Sequence, residues 1–169
     1  SSADIRGIST SNFAGLTSTQ IAGFLPTQAS FITTAQIRAM STSALLGLTT
    51  DTLKAMSATQ VAALSTNQLQ NLTSAQFAAL EAGDLTSLSA TQIGALSSDQ
   101  ISQLSTQQLS AIDGTDLATI STDNFALLNT TQTAALTAAQ LSAITSAQVA
   151  TFTTQEINGL SATQIKGLT

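Results

Sequence analysis

The sequence predicts an all-α solenoid of very short helices, one to each eight-residue repeat, in a single repeat domain spanning residues 1–169. Three observations carry this expectation. Cut every eight residues from Ser1, the chain divides into twenty-one octads with Thr169 left over, and no insertion breaks the frame. Position 8 of the octad is apolar in all 21 copies and position 5 in 20, Thr133 being the exception. Position 1 is Ser or Thr in 17 of 21, and position 4 is Gln in 13.

Ser or Thr followed three residues later by Gln is the signature of a capping box. The hydroxyl accepts from the N3 amide, and the N3 side chain reaches back to the N-cap amide. The apolar residues on either side, position 8 of the octad before and position 5, make the hydrophobic staple. Each octad is therefore a complete helix start. Gly recurs at position 7 (Gly7, Gly15, Gly23, Gly47, Gly159 and Gly167). There it is expected to end the helix in the left-handed conformation. The helices should run about five or six residues.

Two other periodic structures are weaker fits. In one continuous α-helix eight residues turn about 800°, so the apolar stripe would drift by roughly 80° per octad and face no single partner. Ser and Thr would also compete for backbone bonds within it. In a strand, positions 5 and 8 point to opposite faces. A β-solenoid with three octads to each coil remains numerically open, but the enrichment in Ala argues against strands.

An octad cannot fold alone. Burying two large apolar side chains contributes about 3–6 kcal/mol, whereas fixing eight residues costs about 8–16 kcal/mol of backbone entropy. Stability must come from neighbours stacking on one another, as in other solenoids. Runs of position-4 Gln begin at Gln20, Gln60, Gln92 and Gln132. Their spacing marks four to five octads per superhelical turn, or else records recombination among near-identical repeats.

In chain order, residues 1–24 are three octads with Asp4 and Asn12 in the Gln position. Residues 25–32 depart furthest. Leu25 takes the cap position, Pro26 stands at N1 where proline is tolerated, and Phe31 replaces a small residue at position 7. Phe31 is a displaced core filler or a contact point. Residues 33–80 keep the frame, with Ala44 and Thr52 replacing Gln. Octads 81–88 and 113–120 carry the pairs Glu81/Asp84 and Asp113/Asp116 at positions 1 and 4. These carboxylates either cap helices at the favourable end of the helix dipole or form a weak calcium site between turns. The glycine-punctuated loop of a calcium site is missing. Residues 121–169 return to the regular pattern, with Phe125 and Phe152 as large core fillers.

Composition narrows the functional classes. Charged residues are 8% of the chain and the net charge is −5, against about 25% charged in ordinary domains. The four basic residues, Arg6, Arg38, Lys54 and Lys166, are scattered, so the electrostatic footprint of a nucleic-acid binder is missing. There is no His and no Cys, hence no imidazole base, thiolate or ordinary zinc site, and no Ser has a visible activating base. No catalytic, cofactor-binding or metal residue is assigned, no cofactor or small-molecule ligand is expected, and the chain reads as a non-enzyme. No run of about 18 apolar residues offers a membrane span. The chain opens in frame and stops one residue into a further octad, which reads as a piece of something longer.

Leu88–Leu96 (LSATQIGAL) and Met56–Leu64 (MSATQVAAL) resemble the first helix of TAL-effector DNA-binding repeats over nine residues. The second helix, the longer period and the base-reading loop are absent and the charge has the wrong sign, so DNA binding is not expected. Tandem octads such as Leu72–Leu80 (LTSAQFAAL) and Leu136–Ile144 (LTAAQLSAI) resemble, over the whole chain, the LTxxQ octapeptide tracts of large bacterial surface or secreted adhesin-like proteins. That resemblance implies an extracellular or cell-surface spacer, stalk or self-assembling fibre. Its partners would be copies of itself or flanking repeats. The alternative is a binding module presenting a regular Thr/Ser/Gln surface to glycan, a partner protein or ice. An intracellular α-solenoid scaffold would need a charged or aromatic concave patch, which the sequence does not show.

Overall fold

The computed structural model describes residues 2–168. Among the described residues every octad carries one α-helix of four to six residues, from Ser2–Gly7 to Ala162–Gly167, and there is no strand. The helix starts fall where the capping boxes place them. At Thr17, Ser57, Thr73, Ser89 and Thr137 the N-cap backbone is extended, the hydroxyl accepts from the N3 amide, and the N3 Gln closes the box. The odd octad 25–32 starts the same way. Pro26 opens its helix, and the Leu25 N–H donates to Gln28 Oε1 at 2.8 Å. A leucine cap loses the hydroxyl bond but keeps the glutamine one.

The helix ends differ from expectation. Among the described residues none, glycine included, has positive φ. Gly15 and Gly23 cap their helices with right-handed angles, at φ −83° and −74°. The chain leaves each helix through a last tight turn into the extended N-cap of the next octad, so no left-handed residue is needed. Glycine at position 7 answers to space at two sites. A Cβ on Gly47 would run into the Ser18 backbone, and one on Gly167 would stand 2.5 Å from the Ala138 carbonyl oxygen.

The chain forms two compact units, Ser1–Ser87 and Leu88–Thr169, and the octad frame of the sequence runs unbroken through both. In the first unit each helix packs on the one three octads before: Thr34–Ala39 on Thr10–Ala14, Thr50–Lys54 on Pro26–Ala29, and Ala82–Leu85 on Ala58–Ala62. The second unit repeats the rule, with Gly114–Leu117 on Ala90–Gly94, Ala138–Ala143 on Gly114–Leu117, and Ala162–Gly167 on Ala138–Ala143. In each unit backbone packing recurs every three octads and, as described below, side-chain bonds span four. A turn therefore holds between three and four octads, fewer than the four to five inferred from the glutamine runs.

Positions 5 and 8 make the core. Phe13, Ile37, Leu69, Phe77, Ile93 and Leu109 at position 5 are fully buried, as are Leu48, Leu64 and Leu96 at position 8 to within 2%. Aromatic pairs join the layers: the Phe13 and Phe24 rings lie 5.9 Å apart, as do those of Phe125 and Phe152. Phe31 is a contact point. It sits half-buried beneath the Arg6 guanidinium, 5.8 Å from the ring centre, three octads along.

Candidate functional site

The feature that repeats with most chemistry is the glutamine at position 4. Its Oε1 works locally. Gln68 Oε1 accepts the Ser65 N–H at 2.8 Å, closing the capping box. Its Nε2 works at long range, donating to the carbonyls of Ile37 and Met40 at 2.8 Å each. Those are positions 5 and 8 of the octad four earlier. The Met40 carbonyl lies past the helix end, where carbonyls lack intrahelical partners, and takes its donor from the side chain of a later octad; the Ile37 carbonyl accepts that amide beside the Met40 N–H, at 2.8 and 3.2 Å. Each glutamine thus starts one helix and finishes another.

The same two reaches, to positions 5 and 8 four octads back, recur in both units. In the first, Gln36 donates to Ile5 and Ile8, Gln60 to Ala29 and Ile32, and Gln76 to Leu45 and Leu48. In the second, Gln132 reaches Ile101 and Leu104, Gln140 reaches Leu109 and Ile112, and Gln148 reaches Leu117 and Ile120. These glutamines are buried, with exposures of 1–6%. No buried polar side-chain atom among the described residues lacks a partner. These position-4 glutamines therefore belong to the interior.

Where the repeat lacks glutamine the clasp is thinned or rebuilt. Asn124 keeps one bond, from Nδ2 to the Leu96 carbonyl at 3.1 Å. Thr52 keeps one through its hydroxyl to the Phe24 carbonyl at 3.2 Å. Ala44 fills the place with a buried methyl. The two oddest residues of the second unit meet. Thr133, the one polar residue at position 5, is fully buried and donates its hydroxyl to Glu156 Oε1 at 3.3 Å. Glu156, at position 4, still caps with its other oxygen, accepting the Thr153 N–H at 2.7 Å.

One carboxylate of each acidic pair, Asp84 and Asp113, acts as a cap. Asp84 is buried, and its Oδ2 accepts the Glu81 N–H at 2.8 Å. Burial pushes its carboxyl above the ordinary range, the Glu81 backbone bond pulls it down, and the Glu81 charge raises it again. Asp113 lies on the surface, where the Thr115 hydroxyl and N–H both donate to Oδ1, at 2.7 and 2.9 Å, and lower its carboxyl. Partial burial, then the Asp113 charge, raise Asp116. Among the described residues no group of three or more acidic side chains is arranged to hold a metal ion. No helix of the described residues is long and apolar enough to cross a membrane.

These features define a helical repeat protein whose units are fastened by a recurring side-chain clasp. Residues 48–82 and 77–113 match the family model of the ALTTAQ repeat. Within that stretch Ala63–Gln68 (ALSTNQ) and Ala95–Gln100 (ALSSDQ) carry the same order of apolar pair, cap and glutamine. A comparison with curated proteins finds none that matches the chain.

The hydroxyl cap and the apolar positions are plain in the sequence. The long-range half of the glutamine's role is missed there, because every lag that is a multiple of eight looks alike in an octad repeat. Its one sequence signal is the preference for Gln over Glu at position 4. Either can close a capping box, but only the amide can also donate.

Proposed function

We propose that this chain is a structural spacer, a stalk or fibre segment of a bacterial surface or secreted protein. The clasp is the observation that supports the reading. Because one side chain both starts its own helix and fastens the helix four octads earlier, length can be added octad by octad with no other fold element. Each buried clasp bond contributes about 0.5–1.5 kcal/mol net, in register within each unit. A chain of 8% charge and rich in Ser, Thr, Gln and Ala has little with which to bind or transform a charged ligand, and much with which to build regular length.

Two experiments test the two parts of the reading. Inserting a second copy of residues 57–80 in frame should leave the helical circular dichroism per residue and the melting temperature unchanged or higher. A fall in both would contradict the spacer role. Antibody raised against the chain should label intact cells of the source organism. Labelling that requires lysis would contradict the surface location.

A further inference from the structure

Fastening is uneven within each unit. The informative octads are those with an octad four places before and another four places after inside their own unit: octads 5, 6 and 7 (33–40, 41–48 and 49–56) and octads 16 and 17 (121–128 and 129–136). Octad 5 is clasped both ways, by Gln36 to the Ile5 and Ile8 carbonyls and by Gln68 to its own Ile37 and Met40. Octad 17 is too, by Gln132 to Ile101 and Leu104 and by Gln164 to its own Ala134 and Leu136. Octad 6 gives nothing from Ala44 but receives Gln76 at Leu45 and Leu48. Octads 7 and 16 are the loosest. Each gives a single clasp bond, Thr52 to Phe24 and Asn124 to Leu96, and neither receives one.

The cause is the same in both units. The side chain that stands where octad 7 should be clasped is Asp84, and for octad 16 it is Glu156. Both are spent on accepting. Asp84 Oδ2 takes the Glu81 N–H at 2.8 Å, and Glu156 takes the Thr153 N–H at 2.7 Å and the Thr133 hydroxyl at 3.3 Å. A carboxylate has no N–H to give. Among the described residues the Met56 and Leu128 carbonyls accept no hydrogen bond, where their counterpart Met40 takes a glutamine amide at 2.8 Å. The apolar side chains are still in place, Leu53, Met56, Phe125 and Leu128 all being buried. These octads are docked but not fastened.

The arrangement is written twice in the chain. From Gln20 to Asp84 position 4 reads Gln, Gln, Gln, Ala, Thr, Gln, Gln, Gln, Asp; from Gln92 to Glu156 it reads Gln, Gln, Gln, Asp, Asn, Gln, Gln, Gln, Glu. Thr52 and Asn124 hold the same place in this block of nine octads, and so do Asp84 and Glu156. A loose octad with a carboxylate four octads beyond it is thus a recurring feature.

We propose that octads 7 and 16 are release points, where eight residues leave the stack as a unit while the clasped octads beside them stay wound. Local opening draws on the least fastened parts of a fold. A released octad can extend to about 26–29 Å, which gives a stalk slack without unfolding it. The use as slack rests on the spacer reading; the opening itself rests on the bonds.

The test is native-state hydrogen exchange of backbone amides by NMR, on the full chain and on Asp84→Gln, Glu156→Gln and Asp84→Ala. The Ile37 and Leu53 amides are matched. Both are fully buried and donate to the carbonyl of their N-cap threonine, at 3.0 and 2.9 Å. Leu53 should nonetheless be protected at least about tenfold less than Ile37, the clasp bonds being the difference. Asp84→Gln should raise the protection of Leu53 at least about fivefold and leave Phe125 as it was, and Glu156→Gln should do the converse. Asp84→Ala removes the charge without adding a donor and should bring no gain. Equal protection of Ile37 and Leu53, or a gain in Asp84→Ala that matches Asp84→Gln, overturns the proposal. Either result leaves the spacer reading standing, because the insertion of residues 57–80 tests that on octads whose glutamines all clasp.

Discussion

Gln20 and Gln68 occupy the same position of the same repeat, behind the same kind of cap, and within this structure only Gln68 has an octad four places before it to clasp. Both accept the N-cap N–H through Oε1, at 2.9 and 2.8 Å. Gln68 is 3% exposed with two long-range bonds, whereas Gln20 lies on the surface. The comparison separates what the octad does by itself from what the stack adds. The cap is local and works anywhere in the chain. Burial, the clasp and most of the energy depend on an octad having its neighbours.

The core gives the widest contrast. Phe77 and Ile165 share position 5, fully buried in one case and 39% exposed in the other. Phe77→Ala should cost about 3–5 kcal/mol and Ile165→Ala less than about 1 kcal/mol, read from urea unfolding midpoints. Equal costs would mean that position in the stack does not matter.

The clasp comes next. Gln68→Ala removes the cap bond and leaves the buried Met40 carbonyl without its donor, for about 2–3 kcal/mol. Gln20→Ala loses only the cap, about 0.5–1 kcal/mol.

A third pair concerns glycine. Gly47→Ala drives a methyl into the Ser18 backbone and should destabilise by about 1–3 kcal/mol. Gly83→Ala meets open space inside a helix and should stabilise by about 0.5–1 kcal/mol. Thermal melts of the two variants should move in opposite directions.

The smallest effect is tied to pH. Asp84 stands where Gln76 has its amide, and burial raises its carboxyl above the ordinary value of 3.8. A group whose folded pKa is raised contributes its stability below the unfolded value and loses it as pH rises through the folded one. Asp84→Asn should therefore raise the melting temperature at neutral pH, with the difference vanishing near pH 3. A gain that persists in acid would show that charge is not the cause.

Much of the fold is legible in the residues because the octad encodes local events. Ser65 and Gln68 declare a helix start three residues apart, and Leu64 with Leu69 declare the staple across it. The parts that are not legible are non-local. Nothing in a strict period of eight distinguishes a partner three octads away from one four octads away, so the spacing of the glutamine runs misleads about the turn. The glycines mislead for a related reason. Their usual service at a helix end is conformational, but Gly47 answers to the Ser18 backbone, more than three octads earlier. The meeting of Thr133 with Glu156 is likewise written as two unrelated exceptions until the stack brings them together.

The most direct test of the clasp is hydrogen exchange of the glutamine side-chain amides followed by NMR. Gln36, Gln60, Gln68 and Gln76 should exchange slowly and collapse to solvent rates only as the fold opens, while Gln20 exchanges freely from the start. If the side-chain amides of Gln68 and Gln20 exchange at the same solvent-like rate in the folded chain, the octads are not held together in the way described.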